Sequence, residues 1–541
     1  MIKKPFLHTY FAQFSIILLL FAVCRFLSLY VFYNGFLLNF ARINTVFFSS
    51  SQVPDLFSVN PYQSFSILLS SLIYPFFIGA LLLLYLPLFI KGKVYKSFLF
   101  ANTDKLIVFI CAFLLAWELT TYDYNYYLNN AFYTDRIMLI ALALLLLRSP
   151  MFLPLFIAWA YVYRSQFNYP VDGFTLFDKQ VLFDVLLMFL AYVYTRVFFP
   201  AIKISFLFLV ICIVASNYFM CAVAKIMISP HGYEWLLKNE PSDLFCNVHM
   251  RGWLSKSSQN TIDALYSFLA DYGKFFQAVI FLLECSALFL LRSRKTAIIL
   301  LCCLCGLHLG IFIFGSMLFW KWMCIDLMLI FILWRNKNVE EKVYSKKLFL
   351  SSLVIILSSV LWLRPVQIAW YDTPANQYFT YEVVDAEGKI FEFDKNQMNP
   401  YHQWFQYDQF LYLVNENCLP ISGFGYTMNY KIAQAIKESI PEMYQKLEMK
   451  FGKNYYNETK KEKYEDFIKI YFSNRNQALD KTFIPYLLSA PHHLHSSTYA
   501  NCYTGKLPVH MFKVIFNKVI SKNGKAYTIS KKTVDEIVIP S

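Results

Sequence analysis

The sequence predicts a polytopic α-helical membrane protein of about 9–11 spans, followed by a water-exposed α+β domain, on three observations. Hydrophobic residues make up 57% of the 541, charged residues only 16%, and mean hydropathy is +0.43. A soluble domain carries about 25% charged residues. Apolar runs recur near residues 11–33, 65–90, 104–118, 137–163, 181–195, 204–224, 275–291, 296–314, 316–334 and 347–364. They stop after Arg364, where charges appear every few residues. The boundary divides a membrane domain, 1–365, from a soluble domain, 366–541, large enough for its own core.

The amino terminus, with Lys3 and Lys4 before an apolar stretch, has the charged start of a signal peptide. The stretch continues past Arg25 to Leu37 without a small-residue cleavage site, so it is read as a retained first span. The run 137–163 is interrupted by Arg148, Ser149, Pro150 and Pro154, and reads as one kinked helix or two short ones. As a helical hairpin it places Lys3/Lys4, Lys91/Lys93/Lys96, Arg148, Arg196/Lys203, Arg292/Arg294/Lys295 and Lys337/Lys342/Lys346/Lys347 on one face, as the positive-inside rule asks. The amino terminus is then cytoplasmic, and 366–541 lies on the outer (periplasmic, extracellular or lumenal) face. The same loops account for the net charge of +14 without nucleic acid, for which no motif is present.

In the soluble domain, Phe379–Val384, Asp385-Ala-Glu-Gly388 and Lys389–Phe393 alternate about a turn and predict a β-hairpin. Residues 428–451 and 458–472 show helical spacing. Cys418 and Cys502, the cysteines of this domain, are disulfide candidates if the outer face is oxidising, with Cys246 a third; unpaired thiols are the alternative. Asn457-Glu-Thr459 is a glycosylation sequon, meaningful only in a eukaryote.

Lys225 is the only formal charge between Phe206 and Ile228. An ammonium there costs about 3 kcal/mol near the bilayer centre and marks a functional candidate. The competing reading is a lysine near the end of the run that snorkels to the headgroups. The segment Asn217-Tyr-Phe-Met-Cys-Ala-Val-Ala-Lys225, followed by Trp235, resembles that of the vitamin K-dependent γ-carboxylase family, which is built on the HTTM membrane domain. Glu284 in mid-span before an Arg-Ser-Arg corner, His308 followed by Gly315 and Phe319-Trp320, and Tyr122-Asp-Tyr-Asn-Tyr-Tyr-Leu128 look like further features of that family, in order across roughly residues 11–335. The chain departs from it in carrying Asn125 where many members have a histidine that can exchange a proton near neutral pH. It also has Ala222-Val-Ala before a single lysine, where the family has glycine.

The resemblance implies a reaction in which a lysine deprotonates a quinol of vitamin K or menaquinone type, oxygen adds, and the base so formed takes a proton from a glutamate side chain before carbon dioxide is captured. Lys225 would be the base, and apolar surroundings favour the free amine such a step requires. His308 would orient an oxygen intermediate or donate a hydrogen bond, and otherwise is a neutral histidine bonded to a neighbouring helix. Glu284 would partner Lys225 or Arg294, or stay protonated and bonded across helices. Asn125 would alter or weaken the ancestral chemistry.

Cys302, Cys303 and Cys305 read as packing residues, and His492, His493 and His495 as exposed-loop histidines lacking a closed metal set, so no metal is expected. Lys321 and Asp326 share a span and are read as partners for other helices. Two classes remain. One is a γ-carboxylase-like membrane enzyme modifying a peptide with a reduced quinone as cofactor. The other is a non-catalytic HTTM protein serving maturation, export or immunity of a small secreted or toxic peptide. Membrane lipid and a small peptide or protein are the partners implied by either.

Overall fold

The computed structural model describes residues 10–28, 75–90, 102–121, 133–165, 181–336, 340–398, 401–477, 488–495 and 501–540. Its apolar helices are α1 (Tyr10–Phe26), α2 (Pro75–Ile90), α3 (Asn102–Thr120), α4 (Tyr133–Arg148), α5 (Leu153–Ser165), α6 (Val181–Phe198) and α7 (Phe206–Met227). The short α8 (Glu234–Lys238) and α9 (Pro241–Met250) precede α10 (Gln259–Ser286), α11 (Arg294–Gly315), α12 (Trp320–Arg335) and α13 (Lys346–Leu357). Serine caps recur where the chain turns back: Ser205, Ser258, Ser293 and Ser345 each accept a backbone N–H of the first turn of α7, α10, α11 and α13. Arg294 closes the opposite end of α12, its Nη2 donating to Trp334 O at 2.8 Å.

Among the described residues, four helices are long and apolar enough to cross a membrane: Val181–Phe198, Phe206–Met227, Gln259–Phe289 and Arg294–Gly315. The other runs that the sequence predicts as spans give shorter or less apolar helices among the described residues. The run 316–334 begins as helix only at Trp320, since Ser316 takes φ 56° to end α11. Its 16 residues rise about 24 Å, less than a typical hydrocarbon core. The run 137–163 forms two helices broken at Ser149, whose extended backbone and side-chain bond to Met151 N start a new turn at Pro150. The four long helices differ in position. About four-fifths of α6 and α7 is buried, while only 22% of the apolar windows of α10 and α11 is, so α6 and α7 form the centre and α10 and α11 the periphery.

Besides the two-residue strands β1 (Tyr371–Asp372), β4 (Asn417–Cys418), β5 (Tyr426–Thr427) and β6 (Lys453–Asn454), the C-terminal region holds an antiparallel four-stranded sheet in the order β3 (Ile390–Glu392), β2 (Ala375–Asp385), β7 (Val509–Lys522), β8 (Lys525–Val538). The predicted hairpin is β2–β3, turning through Asp385–Gly388. The helical spacing at 428–451 resolves into α15 (Tyr430–Lys437) and α16 (Tyr444–Phe451), separated at Pro441, and that at 458–472 into α17 (Glu458–Gln477); α14 (His402–Tyr407) precedes them. Phe379, Tyr381, Phe512 and Phe516 of the sheet stack with Phe405, Phe410 and Phe472 to make an aromatic core.

Cys418 and Cys502 are free thiols, which corrects the disulfide expectation. Cys502 bridges Glu392 beside β3, whereas the Cys418 stretch is anchored at the other side of the sheet, Glu416 pairing with Lys518 of β7 and Lys532 of β8. The strands between, about 4.8 Å apart each, separate them too far for a bond.

The C-terminal region is bound closely to α9. Arg251 pairs with Asp408 at 2.9 Å, and Lys395 reaches the same carboxylate at 2.7 Å. Asn247 donates to Thr373 O at 2.8 Å and fills the space beside Gly425, whose φ of +72° and contact with Asn247 Nδ2 leave no room for a side chain.

Candidate functional site

Asn217, Cys221 and Lys225 fall every four residues along α7 on one face, and Ser229 follows just past its end. An irregular segment after Arg364 runs along that face. Val366 N donates to Asn217 Oδ1 at 2.9 Å, Lys225 Nζ lies 3.4 Å from Ile368 O, and Ser229 Oγ meets Tyr371 OH at 3.2 Å. The lengths match: twelve helical residues rise about 18 Å, and an extended chain covers about 16 Å from Val366 to Tyr371. Polar side chains of α7 thus satisfy backbone groups that no helix or sheet takes.

Lys225 does not snorkel. Its ammonium donates to both oxygens of Glu284 on α10, at 2.6 and 2.7 Å, and lies 4.9 Å from the ring centre of Trp235. Both members are about 6% exposed. Trp235 is itself fixed, its Nε1 donating to Trp370 O at 2.9 Å.

Two turns earlier on α7, about 10 Å away along the axis, Tyr218 organises a second cluster. Its hydroxyl donates to Asp326 Oδ2 of α12 at 2.6 Å and lies 2.7 Å from His308 Nε2 of α11. With that proton committed to Asp326, His308 Nε2 is the donor to the phenol oxygen, and Nδ1 keeps a bare lone pair. His308 Nδ1 and Asp326 Oδ1 have no hydrogen-bond partner among the described residues.

Both clusters open on one cavity of about 500 Å³ between α7, α10, α11 and the 366–372 segment. Its wall is largely apolar, with Leu283, Leu307, Phe276, Phe319 and Trp322 among its members. Gln277, 3% exposed, also lines it, with Oε1 unpartnered. At the rim, Asp372 accepts from Asn239 at 2.9 Å and Trp370 Nε1 at 3.0 Å, and burial pushes its carboxyl up to about 6. The volume suits a ring-sized ligand, and an apolar wall with few convergent polar groups is the usual character of a binding site.

Lys225, Glu284 and His308, the residues singled out by sequence, therefore share one cavity, but His308 contacts Tyr218 and not Lys225. Asn125 lies outside the described residues. Lys321 finds Glu118 of α3, and Asp326 finds Tyr218, as partners on other helices. Sequence reading missed Tyr218 and Gln277 as site residues; the spacing of Tyr218 to Lys225, seven residues and so one helix face, is the signal that points to the former. No group of three or more metal-ligating side chains suited to a metal ion is found among the described residues. Comparison with protein families, with curated proteins and with solved structures finds no match for this chain.

Proposed function

We propose that this protein is an integral membrane enzyme of γ-carboxylase-like type, which uses a lipophilic quinol held in the cavity and acts on a peptide presented from the outer face. The observation that carries this reading is the Lys225–Glu284 pair set in the wall of an apolar cavity. A quinol would supply the oxygen-reactive carbon skeleton. The chain's own residues would bind and move protons: His308 Nδ1 and Gln277 Oε1 are unpartnered acceptors suited to hydroxyl donors, and Lys225 is the base, passing its proton to Glu284.

The test uses the tryptophans of the wall. In lipid nanodiscs, menaquinone and its reduced form are expected to quench Trp235, Trp322 and Trp370 saturably. Gly306→Leu should abolish the quenching without loss of fold, because a Cβ at Gly306 meets nothing within 4 Å and the added side chain would occupy the cavity. Absence of saturable quenching by either form refutes the reading.

A second reading rests on the closure of the ion pair. Both Glu284 oxygens already hold the ammonium, which leaves no ready base and favours a non-catalytic protein for peptide maturation, export or immunity. In that case a peptide still binds a Lys225→Met/Glu284→Leu double variant.

A further inference from the structure

Four of the nine histidines meet at one contact. The segment 488–495 lies against the membrane helices through backbone bonds: Trp117 Nε1 of α3 donates to Leu488 O at 2.7 Å, Ala490 N to Thr121 Oγ1 at 3.0 Å, Leu318 N to His493 O at 2.7 Å, and His495 N to Ser316 O at 3.1 Å. It carries His492, His493 and His495. From the sheet side, His402 of α14 packs its ring on His492 at 4.2 Å between centres. His402 is 5% exposed, and neither ring nitrogen has a partner among the described residues. His493 stacks edge-on to Phe319 at 4.7 Å, and Phe319 lies 5.2 Å from His308 and lines the cavity. The segment therefore backs one wall of the cavity, through Phe319 against His493 and through Met317, which bridges Leu494.

The charged groups around these rings disfavour adding a proton. His402 faces the three other histidines and Lys321 of α12; His492 faces His495; His493 faces His495, Lys321 and Glu118 of α3. Glu118 is the one opposing charge among these, and it is paired with Lys321. Burial pushes His492 and His493 down to about 4, opposed in part at His493 by its ring nitrogen's bond to Leu318 O at 3.2 Å, and pushes His402 well down.

We propose that His402, His492, His493 and His495 form an acid-sensitive latch, which holds 488–495 on the membrane helices at neutral pH and releases it, uncovering the Phe319 wall of the cavity, when the side bearing the C-terminal region is acidified. A released imidazole titrates near its ordinary value of about 6.5, so the released state binds more protons below that pH. The docked state is thus fully favoured above about pH 6.5 and loses ground as pH falls toward 4. For a histidine held at about 4, release is favoured roughly 20-fold more at pH 5 than at pH 7. The proposal is independent of what the cavity binds.

Hydrogen exchange of the full chain in nanodiscs, corrected for the intrinsic rate, tests it. Between about pH 7 and pH 5 the amides of Leu318 and His495 should lose protection at least roughly 20-fold, while those of α6 and α7 hold. The His492→Gln/His493→Gln variant, which keeps His402 and His495, should lose clearly less protection at the lower pH. Unchanged protection of Leu318 and His495 in the wild type overturns the latch, as does an equal loss in the variant. Should the variant fail to fold, imidazole C2 exchange in the wild type decides: midpoints near 4 for His492 and His493 support the latch, and midpoints near 6.5 overturn it.

Discussion

At the Lys225 end of the cavity, an ammonium and a carboxylate face each other with every strong contact taken. At the Tyr218 end, a phenol sits between an imidazole and a carboxyl group, each of which keeps one atom unpaired. The difference separates two uses of buried polarity. A closed ion pair holds helices α7 and α10 in register and has no capacity for a ligand until its proton moves. An open cluster contributes less to holding helices together and, through His308, offers an acceptor to whatever enters. Buried polar atoms left unpaired are costly, so their presence at the Tyr218 end is a reason to look there for the ligand's polar group.

Breaking the closed end should have the largest effect on stability. Lys225→Met leaves the Glu284 carboxylate buried without its cation and should cost about 3–5 kcal/mol in chemical denaturation. The double variant Lys225→Met/Glu284→Leu should recover most of that loss. No recovery would mean that each residue is held by something other than its partner.

At the rim, Asp372 titrates near 6 against an ordinary 3.8. The folded state therefore binds the proton more tightly, its contribution is fully present below about pH 4, and stability falls as pH rises through about 6. Comparing wild type with Asp372→Asn across pH 4 to 8 should show the variant's profile flatter by up to about 3 kcal/mol, taking 1.36 kcal/mol for each tenfold change. The latch histidines act in the opposite direction in both proteins and cancel in the comparison.

The open end should be less sensitive. Tyr218→Phe removes the hydroxyl between His308 and Asp326 and should cost about 1–3 kcal/mol, with a larger proportional effect on quinone quenching than on stability. His308→Gln should weaken quenching while changing stability least. If instead these variants unfold as readily as Lys225→Met, the two ends do not differ as described.

The apolar runs and the β2–β3 hairpin were legible because each is local: periodicity or a turn residue stands in the sequence itself. The β7–β8 hairpin was legible too, through Asn523-Gly524 at positive φ between alternating strands, but it was overlooked. Lys225 and Glu284 stood out because a charge in an apolar run is rare. Tyr218 and Gln277 did not, because tyrosine and glutamine are unremarkable on a helix until a neighbour removes or withholds a partner. The segment 366–372 gave no signal at all, since its place along α7 is set by bonds to Asn217 and Lys225 far away in sequence. His402 likewise carries no local mark of its contact with His492.

Lys225 is proposed to act as a base within the cavity. Lys225→Arg tests it most directly, because guanidinium can still pair with Glu284 yet cannot release its proton at any relevant pH. With membranes containing the folded protein and a reduced menaquinone, oxygen uptake dependent on the wild-type chain is expected to vanish in Lys225→Arg while saturable tryptophan quenching persists. Oxygen uptake unchanged by that substitution would contradict the claim.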